Sequence, residues 1–140
     1  MNKKDVKKLI IASLEARNYS YSPYSEYSVG AALLCKSGRI AIGANIENAS
    51  YGATVCAERT AFFKAVSEGE REFEAIAIAG GMHGEDPVEY AYPCGICRQV
   101  MREFCNAKKF KVFVVKSEDD YEEYTLEELL PKSFGPENIV

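Results

Sequence analysis

Tryptophan is absent from the 140 residues, histidine occurs once, at His83, and no apolar run approaches the length needed to cross a bilayer. A metal centre built on several imidazoles is therefore excluded, and any such site would have to rest on cysteine. Positive charge is also in short supply: 17 Lys and Arg stand against 21 Asp and Glu, a net charge of −4. Surfaces that grip nucleic acid carry a basic excess, so no nucleic-acid partner is expected. The N-terminal stretch MNKKDVKKLII is basic but lacks a long apolar segment and a small-residue cleavage site, and does not read as a signal peptide. The expectation is a cytoplasmic protein without a membrane partner.

What the chain does have is five cysteines, Cys35, Cys56, Cys94, Cys97 and Cys105. An odd number in a reducing compartment argues against a disulfide framework and leaves metal binding, catalysis or plain burial. The remaining composition, 47% hydrophobic and 27% charged, is that of one compact domain over residues 1–140, long enough to bury a core without covalent staples.

Val6, Leu9, Ile10 and Leu14 recur at helical spacing and predict a first helix over about residues 3–18. The Ser/Tyr-rich stretch NYSYSPYSEY, broken by Pro23, reads as an ordered loop whose tyrosines would pack or line a pocket. SVGAALLC and RIAIGANIE, joined by KSG, predict a β-hairpin. A helix is expected from about Cys56 to Glu68, then a strand, FEAIAIAG, and a Gly-rich connection. PCGICRQVMREF should form a helix with Pro93 in its first turn. The strands KFKVFVVK and YEEYT and a short helix, LEELL, complete the order. The alternation predicts an α/β fold, a sheet covered by helices, parallel in its middle and with the antiparallel hairpin at one end. Ligands of such sheets lie at strand carboxyl ends beside helix N-termini, where Cys56 and the Cys94/Cys97 pair both fall.

Residues three apart share a helix face, so Cys94 and Cys97 can aim at one point, and a helix N-terminus favours their thiolates. By itself this Cys-x-x-Cys is equally a redox dithiol or half of a zinc site. Cys56 opens a second helix 38 positions earlier. If both helices start on one sheet edge, three thiolates meet one ion, and three protein ligands with a fourth position open is the catalytic zinc pattern. Glu58, two residues on, would then face the metal's water as a proton shuttle rather than as a ligand. Three thiolates on a divalent ion leave a −1 shell, and Arg59 or Arg98 stands near enough in sequence to offset it. Cys35 and Cys105 are expected to be inert core residues, and His83 an exposed loop residue.

Taken together, Cys56-Ala57-Glu58 and Pro93-Cys94-x-x-Cys97 resemble the zinc-dependent nucleoside and base deaminases. YSPYSEYSVGAALL, NIENASYGATVCAERTAFFKAVSEG, PCGICRQVMREF and LLPKSFGP narrow the resemblance to cytidine deaminases of the small, homotetrameric, three-cysteine type. That resemblance implies a three-layer α/β/α sandwich around a mixed five-stranded sheet, with one Zn2+ per chain on Cys56, Cys94 and Cys97. It implies hydrolytic deamination of cytidine and 2′-deoxycytidine to the uridines and ammonia, in pyrimidine salvage, with Glu58 moving the protons. It further assigns the Ala57 N–H to the pyrimidine O2, the Tyr92 carbonyl to the leaving amine, Asn45 and Glu47 to a ribose hydroxyl, and Arg59 to charge compensation. Tyr27 would lie beside the nucleoside, while Ala49, Tyr51 and Phe134 would reach it from neighbouring subunits.

Three positions depart from the family pattern: Tyr27 for a usual phenylalanine, Tyr92 for a small hydroxyl residue, and Ile96 for a small side chain. The nearest rival, an aminohydrolase of the blasticidin S type, lacks the Asn-x-Glu pair that NIENASYG carries. A structural zinc protein would need a fourth ligand, from His83, Cys35 or Cys105. A redox dithiol would need Cys94 and Cys97 without metal.

Overall fold

A computed structural model describes residues 1–139. Helix α1, Lys3–Ala16, is capped by the Asn2 side chain, which accepts from the Asp5 N–H, and runs into a 3-10 turn, Arg17–Tyr19. Strands β1, Tyr27–Cys35, and β2, Ile40–Ala44, form the expected hairpin, with Gly38 at φ 95° in its turn. Helix α2, Ala57–Ser67, is followed by β3, Phe73–Met82, then α3, Gly95–Phe104. Strands β4, Lys111–Ser117, and β5, Asp120–Thr125, and the short helix α4, Leu126–Leu129, complete the order.

The five strands lie in the order β2-β1-β3-β4-β5. Only β3 and β4 pair in parallel; β1 is antiparallel to both β2 and β3, and β5 to β4. The expected parallel middle is thus confined to one pair, because β1 is inserted between β2 and β3 and the α2 connection passes over it. The site depends on strand direction, and this is preserved: β2, β3 and β4 all point the same way. Helices α2 and α3 therefore both begin at one edge of the sheet.

Period-two alternation divides the core. Ile76, Ile78, Val112 and Val114 face α2, α3 and α4, together with Phe62, Met101 and Leu126, all buried. Ala75, Ala77, Ala79, Phe113 and Val115 face α1, where Leu9 and Ile10 close the other layer. The result is the three-layer α/β/α sandwich around a mixed sheet. Phe62 of α2 anchors the larger layer, its ring centroid 5.1 Å from Phe73 and 6.1 Å from each of Phe104 and Phe110.

Other boundaries move for local reasons. Strand β2 stops at Ala44 rather than running on to Glu47: the Asn45 N–H still reaches the Val29 carbonyl at 3.2 Å, but its side chain takes the other partners, Oδ1 accepting from Val29 N–H at 2.9 Å and Nδ2 donating to the Tyr27 carbonyl at 2.8 Å. Cys56 and Cys94 are not helical residues but the N-caps of α2 and α3, in extended conformation. Pro93 consequently lies outside α3 instead of in its first turn.

Candidate active site

Two backbone devices bring Cys56 to the sheet edge. Beyond β2, Ile46 and Val55 exchange a pair of 3.0 Å backbone hydrogen bonds, closing the loop between them and returning the chain beside the end of the strand. Gly43 then lets α2 lie directly on β2: a Cβ there would stand 2.5 Å from the Ala61 nitrogen and 2.6 Å from the Ala57 carbonyl oxygen. On the other side β3 delivers the chain to Cys94, whose sulfur accepts from the Cys97 N–H at 3.5 Å and so caps α3.

These placements gather the Sγ atoms of Cys56, Cys94 and Cys97 within 4.8 Å of one another, with Cys56–Cys94 at 3.8 Å and Cys94–Cys97 at 3.4 Å. Tetrahedral zinc with Zn–S bonds of about 2.3 Å requires sulfurs about 3.8 Å apart, so the donor set fits that ion. No other histidine, cysteine or carboxylate joins the cluster among the described residues, so the closed, four-ligand structural zinc site is without its fourth ligand there. Cys97 is buried, Cys56 half-buried and Cys94 exposed, leaving the cluster accessible from the Cys94 side.

The electrostatics suit a cation. The Cys97 thiol, with the Arg59 guanidinium at 3.5 Å, holds the Cys56 thiol well down, to about 5. Cys97, beside the Cys56 thiolate and buried, is held up. Arg59 Nε is buried without a partner among the described residues, so this guanidinium still has capacity for negative charge. Arg98, the other cation near the ligands in sequence, turns away. Its Nε donates to the Pro93 carbonyl at 2.8 Å and its Nη1 to the Leu129 carbonyl at 3.0 Å, so it clamps the chain before Cys94 instead of offsetting thiolate charge.

Glu58 occupies the first turn of α2 and is only 4% exposed. Burial pushes its carboxyl up to about 7, against the opposing pull of its own backbone N–H. A carboxyl poised there can take and give a proton near neutrality. The Ala57 N–H, left free by the helix it opens, and the Tyr92 carbonyl have no backbone or side-chain partner among the described residues. Both are available to a ligand.

The Asn45–Glu47 pair is already heavily engaged. Asn45 Oδ1 also accepts from Ser20 Oγ at 2.5 Å, which leaves one amide hydrogen unused. Glu47 accepts from the Tyr24 and Ser25 N–H groups at 2.9 and 3.1 Å and from Ser25 Oγ at 2.5 Å, leaving about one lone pair. Glu47, Tyr24 and Tyr51 line a cavity of about 340 Å³. The tyrosine-rich loop is thus tied down by Glu47, a part played by Ser25 that nothing in the local sequence signals. Tyr27 lies at the start of β1, its ring against Gly80 of β3. Ala49, Tyr51 (77% exposed) and Phe134 (59% exposed) remain at the surface of the single chain, away from burial in its own core.

A larger cavity, about 630 Å³, lies between α1 and residues 83–87 and includes His83, but touches none of the three clustered cysteines. Donor chemistry, not concavity, locates the site. Cys35 and Cys105 are buried core residues, as expected.

Residues 3–114 match the family model described as the cytidine and deoxycytidylate deaminase zinc-binding region. A cytidine deaminase of Sporosarcina psychrophila is 50% identical over 135 residues, covering 96% of this chain and 95% of the relative. That of Halalkalibacterium halodurans is also 50% identical, over 96% of this chain and 98% of its own. The crystal structure of the cytidine deaminase from Burkholderia pseudomallei superposes with a TM-score of 0.82 at 42% identity, over 96% of this chain and 100% of that one. Matching sequence and matching architecture over almost the whole length, around three thiols spaced for one ion, mean that the chain belongs to the cytidine deaminase family.

Proposed function

We propose that residues 1–140 form one deaminase domain that converts cytidine and 2′-deoxycytidine to uridine and 2′-deoxyuridine, consuming water and releasing ammonia, in pyrimidine salvage. The observation that carries this reading is the buried Glu58 carboxyl in the first turn of α2, two residues from Cys56, beside a three-thiol cluster at two helix tips. Cys56, Cys94 and Cys97 hold one Zn2+ per chain, and the ion when bound supplies Lewis-acid activation of water.

Glu58 takes a proton from the water that attacks C4 of the pyrimidine and passes it to N3. It then carries the second proton of that water to the 4-amino nitrogen. The C4–N bond breaks, C4=O forms, and ammonia leaves, so atoms and charge balance. The Ala57 N–H donates to O2 and orients the ring. The Tyr92 carbonyl accepts from the amino group, most strongly once that group is tetrahedral and protonated. Arg59 offsets the thiolate charge. The last free hydrogen of Asn45 and the last lone pair of Glu47 suit one ribose hydroxyl, which accepts from the first and donates to the second. Tyr27 packs beside the nucleoside.

The working form is a homotetramer, in which Ala49, Tyr51 and Phe134 complete a neighbour's pocket; their exposure in the single chain supports this reading. The cytoplasm is its compartment: the five cysteines are all unpaired, and no described helix is long and apolar enough to cross a membrane.

Glu58→Gln tests the mechanism. The variant should retain one zinc per chain and lose about 10²- to 10⁴-fold in kcat, the range of positioned proton transfer. Full activity in Glu58→Gln would refute its role. A panel of cytidine, deoxycytidine, cytosine and blasticidin S checks the substrate, and turnover of blasticidin S alone would overturn the nucleoside assignment.

A further inference from the structure

Residues 90–93 lie outside any helix or strand and lead directly into Cys94, and they are pinned from two sides. Tyr90 and Tyr92, two apart, direct their hydroxyls to Asp120 and Glu122, two apart on β5. The Tyr92 hydroxyl donates to Glu122 Oε1 at 2.6 Å, and the Tyr124 hydroxyl donates to the same oxygen at 2.9 Å. The Tyr92 and Tyr124 rings meet edge-on at 6.3 Å, and Lys116 Nζ sits 4.7 Å from the Tyr90 ring centroid. From the other side Arg98 holds the Pro93 carbonyl.

Tyr92 is half exposed, so core packing is not what fixes it. Its hydroxyl bond is the specific restraint on its side chain, and its carbonyl is the unpartnered acceptor next to Arg98-bound Pro93. A side chain held at its tip restricts rotation of its own backbone, and the carbonyl direction follows.

We propose that Glu122 is a positioning residue for the reaction, acting through the Tyr92 hydroxyl to aim the Tyr92 carbonyl at the departing amino group. This rests on the function proposed above. It gives the tyrosine at position 92 a purpose that its backbone carbonyl alone would not require: the side chain moves control of the carbonyl onto β5.

The test uses the zinc-loaded enzyme and its Tyr92→Phe, Glu122→Leu and double variants, leucine because glutamine would keep an oxygen able to accept from the Tyr92 hydroxyl. Each single variant should lower kcat about fivefold, the value of one hydrogen bond expressed in the transition state, with little change in KM. The double variant should be no slower than the slower single, because both remove one interaction. Zinc content should stay at one per chain. Inhibition by tetrahydrouridine, which has a hydroxyl and no amino group at C4, should be unchanged, whereas a general loosening of the site would weaken it. Wild-type kcat in Tyr92→Phe overturns the proposal, as do multiplying effects in the double variant or a matching loss of tetrahydrouridine affinity. A wild-type holoenzyme that does not deaminate cytidine overturns the functional reading itself, and the two failures are thereby distinguished.

Discussion

Replacing Gly43 with alanine isolates the contact that carries the α2 tip to the site. The added Cβ would lie 2.5 Å from the Ala61 nitrogen and 2.6 Å from the Ala57 carbonyl oxygen, both backbone atoms that no rotamer change can move. Ordinary van der Waals contact begins at 3.4 Å, so α2 has to retreat by about 0.9 Å, a shift in the range of overpacking that costs about 1–3 kcal/mol. Because Cys56 caps α2 and Ala57 and Glu58 open it, the same retreat would misplace a thiol of the metal cluster and the proposed proton carrier, and a displacement of about 1 Å can cost about 10²-fold in rate. Gly38→Ala is the matched control: φ there is 95°, nothing stands within 4 Å, and the turn precedes β2, at the opposite end of that strand from the segment leading to Cys56. It should lower stability by about 1 kcal/mol through backbone strain and leave kcat/KM unchanged. Thermal unfolding at fixed protein concentration, zinc content and cytidine kinetics should be measured on both variants. If Gly43→Ala shifted the melting temperature like Gly38→Ala but kept wild-type kcat/KM, the close packing of α2 on β2 would not be what places Glu58.

The remaining expectations concern the core, the ligands and pH. Phe62→Ala removes the fully buried ring shared by Phe73, Phe104 and Phe110 and should cost about 3–5 kcal/mol in urea unfolding; a loss below about 1 kcal/mol would mean the cluster repacks freely. Cys94→Ser should abolish stoichiometric zinc while Cys105→Ala keeps it, and metal analysis showing the reverse would reassign the ligand set. The Ser25 hydroxyl and the Ser25 and Tyr24 N–H groups hold the Glu47 carboxyl below its ordinary 4.5. A depressed carboxyl stabilises the fold above its unfolded pKa and loses that contribution as pH falls through the folded one. The stability deficit of Glu47→Gln should therefore be full above the ordinary carboxylate pKa of 4.5 and fade only as pH falls from there through the lower folded value; a deficit independent of pH would rule out the charged form as the source.

Much of this molecule was legible in its sequence because the signals are local. Periodicity placed the helices and strands to within a few residues, with N-caps and side-chain bonds deciding their ends. The Cys56-Ala57-Glu58 and Cys94-x-x-Cys97 spacings pointed to one three-thiol centre, since a cluster at helix tips needs only the right residue types at the start of two helices. Arg98 shows where such reading stops. Its distance along the chain from Cys97 is small, yet its guanidinium turns to carbonyls at Pro93 and Leu129. Asn45 and Glu47 were identifiable as a pair, but not their commitment to Ser20, Tyr24 and Ser25.

By itself the sequence determined the kinds of group available: thiols in place of imidazoles, one carboxyl after the first ligand, and alternating elements able to bring both helix starts together. Only the tertiary structure decided that β1 separates β2 from β3, that Arg98 turns to the Pro93 and Leu129 carbonyls, and that Tyr92 reaches Glu122 thirty residues away. Residue types and short spacings carry local chemistry and local geometry. Strand order and side-chain direction are properties of the whole packed sheet, and no short stretch of chain contains them.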